Sequence, residues 1–495
     1  GNTTGNGSGY TNTSKPDMSG AVYHVINYFD DYNFFGNSFG NPVPGQSNAT
    51  RSLPTGSKIN VLGTTTLLLK VNYYDDRGRV VQTKAQNHLS GTDVLDSSYD
   101  FAGTLISSVR NHTVGPTTTM IYKDFEYDHV RRSKRTLQKI GNSGSPQVVL
   151  SEQMYNDIGQ LKDKKLHNSL NTNAFTYNER GWLKTITSNE FSVRLRYNDG
   201  TNPQFSGNIA NQDWGSNTTY PNTFTYSYDK FNRLLSAVST GVVMSEVISY
   251  DPIGNIRTMN RDGAGNATYN YTGSRLMSIT GGGLAAGNWA YDLNGNAMTD
   301  GRTGATIAYN EFNLPATATK TGLNLIYTYD AVGNKLTKHN GISATTRHYI
   351  DGIEYDGTII DIIRTGEGVA RNNSGVYSYE YNLTDHLGNP RYSFNKHPVT
   401  GMIQRLQGDD FYAFGKRKSI SPISIINKYL YTGKEIQDEL NSAGKEGQYD
   451  FIARYYDAEI GRWNVIDPAN QTFSGYDFCG NNPVLNVDPD GRIFG

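Results

Sequence analysis

A motif built on Tyr-(Asp/Asn)-x-x-Gly recurs along this chain and constrains its fold more than any other feature. Clear copies begin at Tyr74, Tyr155, Tyr177, Tyr228, Tyr250, Tyr291 and Tyr329, and weaker copies at Tyr127, Tyr271 and Tyr309. From Tyr228 onward, successive copies are 22, 21, 20, 18 and 20 residues apart. A fixed period of this length predicts a repeat architecture in which each unit is one supersecondary element.

Each copy of the motif predicts a β-hairpin. The alternation of aromatic and polar residues before the Asp is typical of a half-buried strand. An Asp or Asn at the strand end can accept a hydrogen bond from the backbone two residues on, and a Gly three residues later supplies positive φ. Because one hairpin cannot bury its own apolar face, we expect neighbouring hairpins to pair edge to edge into one ribbon, which strand twist then coils.

Composition agrees with an all-β fold and limits the classes of partner. The chain contains 53 Gly and more Tyr (35) than Phe (19), which favours strands joined by tight turns. Its 45 basic and 46 acidic residues give a net charge of −1, so we expect neither nucleic acid nor an anionic membrane as a partner. One cysteine, Cys479, excludes an internal disulfide framework and a cysteine-based zinc site, and we expect no cofactor and no metal.

Several further motifs carry a family resemblance. They lie at 55–63 (TGSKINVLG), 178–183 (NERGWL), 385–391 (DHLGNPR), 412–415 (YAFG), 431–435 (YTGKE) and 449–463 (YDFIARYYDAEIGRW). With the Tyr-Asp repeats, they resemble Bacteroidetes-type Rhs/YD-repeat proteins over essentially the whole chain. The resemblance implies a β-hairpin ribbon that spirals into a hollow shell, as in the C component of insecticidal Tc toxins and the YD shell of teneurins, closed by a C-terminal core-associated plug.

The expected organisation has four parts. Residues 1–20, rich in Gly, Asn, Thr and Ser, are predicted to be a flexible linker. Residues 21–65 are predicted to be an irregular lead-in, 66–435 the YD-repeat shell, and 436–495 the closing domain. Because the sequence has no initiator Met, we expect it to be a fragment of a longer protein. No run approaches the ~18 apolar residues of a membrane span, so we expect no span in this segment.

The family resemblance also implies a function. It predicts the encapsulating shell of a secreted or cell-surface bacterial polymorphic toxin, which sequesters a C-terminal effector and releases it. The expected partners are that toxin domain, a secretion or delivery machinery, and another shell-forming chain or N-terminal half. The alternative is a cell-surface adhesion or carbohydrate-binding YD-repeat protein that carries no toxin.

Core blocks of this family resemble self-cleaving aspartyl peptidases, and three residues of the closing block match them. Asp467 of Ile-Asp-Pro matches the first catalytic carboxylate, and Asp477, which lies between two aromatic residues, is placed as the second. Arg462 of Gly-Arg-Trp matches the arginine that would orient a carboxylate. Two close carboxylates cannot both ionise, so one would serve as the acid while the other activates water.

The family cuts just after an Asp-Pro-x-Gly-Leu motif. The corresponding residues here are Asp488, Pro489, Asp490, Gly491 and Arg492. Arg492 stands where the family prefers Leu, which bears on the position of the cut. The alternative interpretation is that Asp467 and Asp488 only start Asp-Pro turns. On the first interpretation the chain is at most a single-turnover autopeptidase, and on the second it is a structural container.

Overall fold

The computed structural model describes residues 21–142, 144–284, 286–419, 427–440 and 446–495. The predicted linker at 1–20 lies outside these residues. Within the described part, regular structure consists of β-strands and four short 3-10 helices. The prediction of an all-β fold is confirmed.

The first sheet is an antiparallel meander in which each strand is hydrogen-bonded to the next along the chain. Its 20 strands are β1 (Val25–Asp30), β2 (Thr50–Asn60), β3 (Leu67–Tyr74), β4 (Val80–Gln86), β5 (Thr92–Tyr99), β6 (Leu105–Val114), β7 (Thr117–Tyr127), β8 (Ser133–Ile140), β9 (Val148–Tyr155), β10 (Leu161–Leu166), β11 (Asn171–Tyr177), β12 (Leu183–Thr187), β13 (Ser192–Arg196), β14 (Asn211–Ser216), β15 (Thr219–Tyr228), β16 (Leu234–Thr240), β17 (Glu246–Tyr250), β18 (Ile256–Arg261), β19 (Ala267–Thr272) and β20 (Arg275–Thr280).

The second sheet continues this meander with 14 strands. They are β21 (Ala290–Tyr291), β22 (Ala297–Thr299), β23 (Thr306–Tyr309), β24 (Pro315–Lys320), β25 (Leu323–Tyr329), β26 (Lys335–Asn340), β27 (Thr345–Ile350), β28 (Ile353–Asp356), β29 (Ile359–Arg364), β30 (Gly368–Asn373), β31 (Val376–Thr384), β32 (Pro390–Lys396), β33 (Ile403–Phe411) and β34 (Arg417–Ser419). Between the sheets, Trp289 donates its backbone N–H to the carbonyl of Met277 at 2.9 Å. The two sheets therefore form one ribbon.

A third, four-stranded antiparallel sheet follows the ribbon. It contains β35 (Glu435–Gln437), β36 (Gln448–Asp450), β37 (Tyr455–Asp457) and β38 (Arg462–Trp463). The 3-10 helices are Gly282–Leu284, Tyr431–Gly433, Asp438–Leu440 and Cys479–Asn481. No helix in the described ranges is long and apolar enough to span a bilayer.

Two predicted boundaries differ from the structure. The lead-in at 21–65, predicted to be irregular, contains β1 and β2, and β2 pairs with β3, so the ribbon begins before residue 66. The aromatic cluster of this segment packs as a core, in which Tyr28 stacks on Phe34 and Tyr32 on Tyr73. At the other boundary, Glu435 belongs to the closing sheet because it pairs with Asp450.

The turn after each Tyr-Asp pair is closed by the Asp side chain. In the copy at Asp330, Oδ1 accepts the backbone N–H groups of Val332 at 3.0 Å and Asn334 at 2.8 Å, and the Asn334 side chain donates to Oδ2 at 2.9 Å. Gly333 has φ +90°, as predicted for this position. The Asn or Arg that follows the Gly in the repeat is therefore a partner of the Asp carboxylate.

The repeat tyrosine joins each hairpin to the one before it. In most copies its hydroxyl donates to a backbone carbonyl at or just before the start of the preceding return strand; in the copy at Tyr271 the acceptor is Ile256, at 2.8 Å. The same contact is made by Tyr99, Tyr127, Tyr155, Tyr177, Tyr197, Tyr228, Tyr250, Tyr309 and Tyr329, at 2.7–3.0 Å. Tyr291 differs, because its hydroxyl accepts the backbone N–H of Leu276 at 3.1 Å. The repeat thus specifies lateral pairing as well as the hairpin itself.

The ribbon curls until its later strands meet its early ones. We call the edge formed by the turns after the repeat Asp the YD rim, and the opposite edge the return rim. Val61, on the return rim between β2 and β3, forms an antiparallel bridge with Asp330 on the YD rim. We call this contact between the early and the later strands the seam. Further along it, Arg110 donates to the carbonyls of Ile350 at 3.1 Å and Asp351 at 2.7 Å.

Histidines line the seam where the later strands of the ribbon meet its early strands. His88 and His348 face each other with ring nitrogens 3.2 Å apart, and His167 lies 3.0 Å from the Tyr381 hydroxyl. Burial and the charge of His348 lower the pKa of His88 to about 4. Burial, with the charge of nearby Lys396, lowers the pKa of His167 to about 4.

We predict that acid weakens this seam. Between pH 6.5 and about 4, these histidines bind protons in an opened or unfolded chain but stay neutral in the folded seam. The free energy of unfolding therefore falls as the pH falls through this window. After a discount for partial exposure, we expect a loss of roughly 1–2 kcal/mol per histidine between pH 7 and pH 4.5. This loss is measured by comparing the denaturant unfolding midpoints of the wild type and His88→Gln at pH 7 and at pH 4.5.

His88→Gln should lose less stability on acidification than wild type because it removes one excluded proton. His129→Gln, at an exposed turn, is the matched control and should behave as wild type. An identical pH dependence in all three proteins would contradict the prediction.

Candidate functional site

The closing sheet is organised around a buried aromatic cluster. Tyr456 and Phe478 stack with ring centres 3.9 Å apart, and Phe451 meets Trp463 edge to face at 5.0 Å. The cluster comprises Phe411, Leu430, Tyr431, Ile436, Tyr449, Phe451, Tyr456, Ala458, Trp463, Phe478 and Cys479. Phe411 lies on ribbon strand β33, so the closing block shares this core with the ribbon.

Buried ion pairs also join the closing sheet to the ribbon. Lys335 on β26 lies 2.6 Å from Glu435 and 2.7 Å from Asp450, and Arg302 lies 2.8 Å from Asp457. Burial alone would lower the pKa of Lys335, but the two adjacent carboxylates raise it well above its ordinary value. Because a buried charge without a partner is strongly unfavourable, these pairs fix the position of the closing sheet on the ribbon.

Asp467 lies at the start of a loop whose two ends are held together. It is buried, and its carboxylate accepts the backbone N–H groups of Ala469 at 3.0 Å and Gln471 at 2.9 Å. Its own N–H donates to the carbonyl of Gly475 at 2.8 Å. These contacts are those of an Asp that starts a turn, and they hold the carboxylate in one orientation.

Asp477 lies at the other end of the same loop. It is buried, pairs with Arg462 as an antiparallel bridge, and accepts a hydrogen bond from the Thr472 hydroxyl. Burial raises the pKa of Asp477 above its ordinary value. The two predicted carboxyl groups thus occupy different environments, and their side-chain hydrogen bonds go to different partners.

Arg462 points its guanidinium toward the ribbon. It donates to the carbonyl of Ser274 at 2.7 Å and to Asn255 and the Tyr271 hydroxyl at 3.3 Å each. Its guanidinium also lies over the ring of Tyr476. Its side-chain hydrogen bonds therefore attach the closing block to two repeats of the ribbon.

Arg454, which the motif comparison missed, contacts the closing motif directly. Its Nε donates to the carbonyl of Gly491 at 2.6 Å, and Nη2 lies 3.2 Å from Asp488 and 3.5 Å from Asp467. Burial lowers the pKa of Arg454, and the charges of Asp467 and Asp488 oppose that shift. The sequence did contain a signal for this residue: Arg454 lies between apolar residues of the closing block, and a buried charge at such a place needs a partner.

The closing motif is a tight turn around the Asp488 carboxylate. Its Oδ1 accepts the backbone N–H groups of Asp490, Gly491 and Arg492 at 3.2, 2.7 and 3.2 Å. Gly491 has φ +77° and packs against Phe451, where an added Cβ would be crowded. A glycine is therefore required at this position of the turn.

A surface cleft of about 580 Å³ lies beside this turn. The closing block contributes Ile466, Pro468 and Ile493 to its lining, and the YD rim contributes Phe312 and Val332. The main chain after Gly491 thus runs along an apolar surface. Among the described residues, no three His, Cys, Asp or Glu side chains are grouped as a metal site.

Residues 202–351 match the teneurin YD-shell family. A tRNA3(Ser)-specific nuclease WapA of Bacillus spizizenii is 26% identical over 385 residues, which cover 68% of this chain and 15% of the relative. Salivary gland surface protein 1 of Aedes aegypti is 34% identical over 128 residues, 26% of this chain and 3% of the relative. The chain thus spans a small part of the curated relatives that it matches.

Solved Tc toxin structures share the fold. A TcdB2-TccC3 crystal structure superposes with a TM-score of 0.70 at 16% identity, over 94% of this chain and 26% of that chain. A Tc holotoxin pore of Photorhabdus luminescens gives a TM-score of 0.64 at 16% identity, with the same coverage. The predicted YD-shell fold is confirmed by this similarity.

We predict that Arg454→Gln destabilises the protein strongly. The change leaves Asp488 and Asp467 buried without their cation, for which we expect a loss of about 3–5 kcal/mol. Arg79→Gln is the control, because Arg79 pairs with Asp75 near the surface, where such pairs contribute about 0–1 kcal/mol. Thermal unfolding measures the change in Tm of each variant. Equal changes in Tm for the two variants would refute this role for Arg454.

Proposed function

Because this chain is an Rhs/YD-repeat shell protein, we propose that it encloses a toxic polypeptide and releases it by cutting its own chain near Gly491. The toxic polypeptide would be the segment that continues beyond the closing motif. The WapA relatives are named as tRNA nucleases, which supports a toxin as the enclosed cargo. We propose secretion or display at the cell surface, with a delivery machinery as a further partner.

The observation that carries this proposal is the burial of the closing motif. Asp488 is fully buried, and the Gly491 carbonyl is bound by an arginine that also contacts Asp467. The arrangement holds one peptide group in a fixed orientation beside an acidic side chain, as intramolecular cleavage requires.

The proposed step is hydrolysis of the Gly491–Arg492 peptide bond. This position is one residue before the one at which the family cuts, and we choose it because Arg454 binds the carbonyl of Gly491. Arg454 polarises the Gly491 carbonyl, and Asp467 accepts a proton from a water molecule whose oxygen adds to the carbonyl carbon. Asp477, whose pKa burial raises, supplies a proton to the leaving nitrogen of Arg492. One water is consumed, and one new carboxyl and one new amino terminus form. This assignment keeps Asp467 and Asp477 in their predicted roles and gives the orienting role to Arg454.

The closing block is well placed to retain a cargo. Asn481 and Tyr476 donate to the carbonyls of ribbon turn residues Gly254 and Gly295, at 2.8 and 2.6 Å. His386, on a later YD turn, lies 2.8 Å from the carbonyl of Val484. Contacts with repeats so far apart in the sequence support the role of a plug across the ribbon.

We predict that Asp467→Asn abolishes processing in a chain that continues past Gly495 into the sequence of its gene. The wild type should appear on a denaturing gel as two fragments, with Gly491 as the new C-terminus by mass spectrometry. The variant should remain one chain because its amide cannot accept the proton from water.

Asp292→Asn, in a ribbon turn, is the matched control and should be processed normally. Normal processing of Asp467→Asn would leave Asp467 as a turn residue alone and remove the catalytic half of the proposal. Asp477→Asn tests the second carboxyl group in the same way.

A further inference from the structure

The segment that follows the closing turn is bound by a residue of the loop between Asp467 and Asp477. The Gln471 carboxamide makes two hydrogen bonds with the main chain of Phe494. Its Oε1 accepts the Phe494 N–H at 2.9 Å, and its Nε2 donates to the Phe494 carbonyl at 3.3 Å. One side chain, which carries both a donor and an acceptor, therefore satisfies both polar groups of one backbone residue.

The same residue also holds the proposed general base. Gln471 donates its backbone N–H to Oδ2 of Asp467 at 2.9 Å, while its side chain holds Phe494. Phe494 lies three residues after Gly491, whose carbonyl accepts a hydrogen bond from Arg454 at 2.6 Å. The proposed scissile bond therefore lies between two points of the main chain that side chains fix, one at Gly491 and one at Phe494.

A backbone pair and an aromatic contact hold this segment as well. Val487 and Gly495 donate their N–H groups to each other's carbonyls, at 3.2 Å each, which closes the loop that contains the proposed scissile bond. The Phe494 ring packs against the buried aromatic cluster of the closing block. It also lies beside Gly480, where an added Cβ would come within 3.1 Å of the ring. The closing block thus offers a surface for an aromatic side chain at position 494.

We propose that Gln471 is a positioning residue for self-cleavage and that an aromatic side chain at position 494 determines which segment is cut. This inference rests on the proposed function and names the part of the substrate that the site recognises. Gln471 exchanges no proton in the reaction; it holds the Asp467 carboxylate and the segment after the scissile bond in a fixed relative position. Such positioning of reacting groups contributes to the rate of an intramolecular step. The side chains of Arg492 and Ile493 are exposed, so the site selects neither of them.

The rate of processing in a chain that continues past Gly495 tests the role of Gln471. Gln471→Met keeps the length of the side chain but removes the amide, so it should be cut about tenfold more slowly than the wild type. Mass spectrometry should find new C-termini besides Gly491, because the segment after the cut is no longer fixed. Gln404→Met, at an exposed position of β33, is the matched control and should be cut as the wild type is.

Substitutions of Phe494 test the recognised side chain in the same assay. Phe494→Tyr keeps an aromatic ring and should be cut at about the wild-type rate, whereas Phe494→Ala should be cut about tenfold more slowly. Because Gln471 is exposed, Gln471→Met should keep the Tm of the wild type, which separates positioning from folding. Equal rates for Phe494→Tyr and Phe494→Ala would overturn the role of the ring.

Hydrogen–deuterium exchange measures the contact itself in an uncut chain. In Asp467→Asn, which we expect to remain uncut, adding Gln471→Met should make the Phe494 N–H exchange about tenfold faster, and adding Gln404→Met should not. Equal exchange in all three proteins would overturn the contact. Cutting of Gln471→Met at the wild-type rate, with Gly491 as the single new C-terminus, would overturn the positioning role alone. A wild type that is not cut would instead overturn the proposed function, and the positioning role with it.

Discussion

The hydrogen bond between the repeat tyrosine and the backbone of the preceding hairpin is the interaction on which the architecture depends. A hairpin of two short strands is marginally stable alone, and it must bury its apolar face against neighbours. The tyrosine contributes a large apolar ring and a hydroxyl that satisfies a backbone acceptor, so burial and register are specified by one side chain. Since the acceptor lies at the start of the previous return strand, the contact also requires the regular spacing that the sequence displays.

Lateral pairing explains the ribbon, and a second set of contacts holds its later strands against its early ones. The seam between the two turns of the ribbon uses backbone bridges, Arg110 and a row of histidines, none of which follows the period of the repeat. The closing block is joined to the ribbon by buried ion pairs and a shared aromatic core. Arg454 connects the closing sheet to the closing motif, so the position of that sheet and the geometry of Gly491 are coupled.

The repeat made most of the fold predictable from sequence because its period, its turn residues and its alternation each indicate the same hairpin. The strands in residues 21–65 were missed because this segment carries no copy of the motif. The seam could not be predicted, since His88 and His348 are far apart in sequence and neither lies in a recognisable pattern. At the candidate site, motif matching selected Asp467, but the contact between Arg454 and Gly491 depends on how the closing sheet folds. For the same reason, the motif could not indicate that Arg462 contacts the ribbon.

In this protein, one ribbon curls until its later strands contact its early ones. Zero-length carbodiimide cross-linking of the dilute protein tests it directly, because Lys164 on β10 lies 2.6 Å from Glu367 between β29 and β30. The internal control is the pair Lys165 and Glu152, which lie 3.9 Å apart on the adjacent strands β10 and β9. Mass spectrometry should identify a Lys164–Glu367 amide in the monomer. A monomer that yields the Lys165–Glu152 link but none between Lys164 and Glu367 would contradict the curled ribbon.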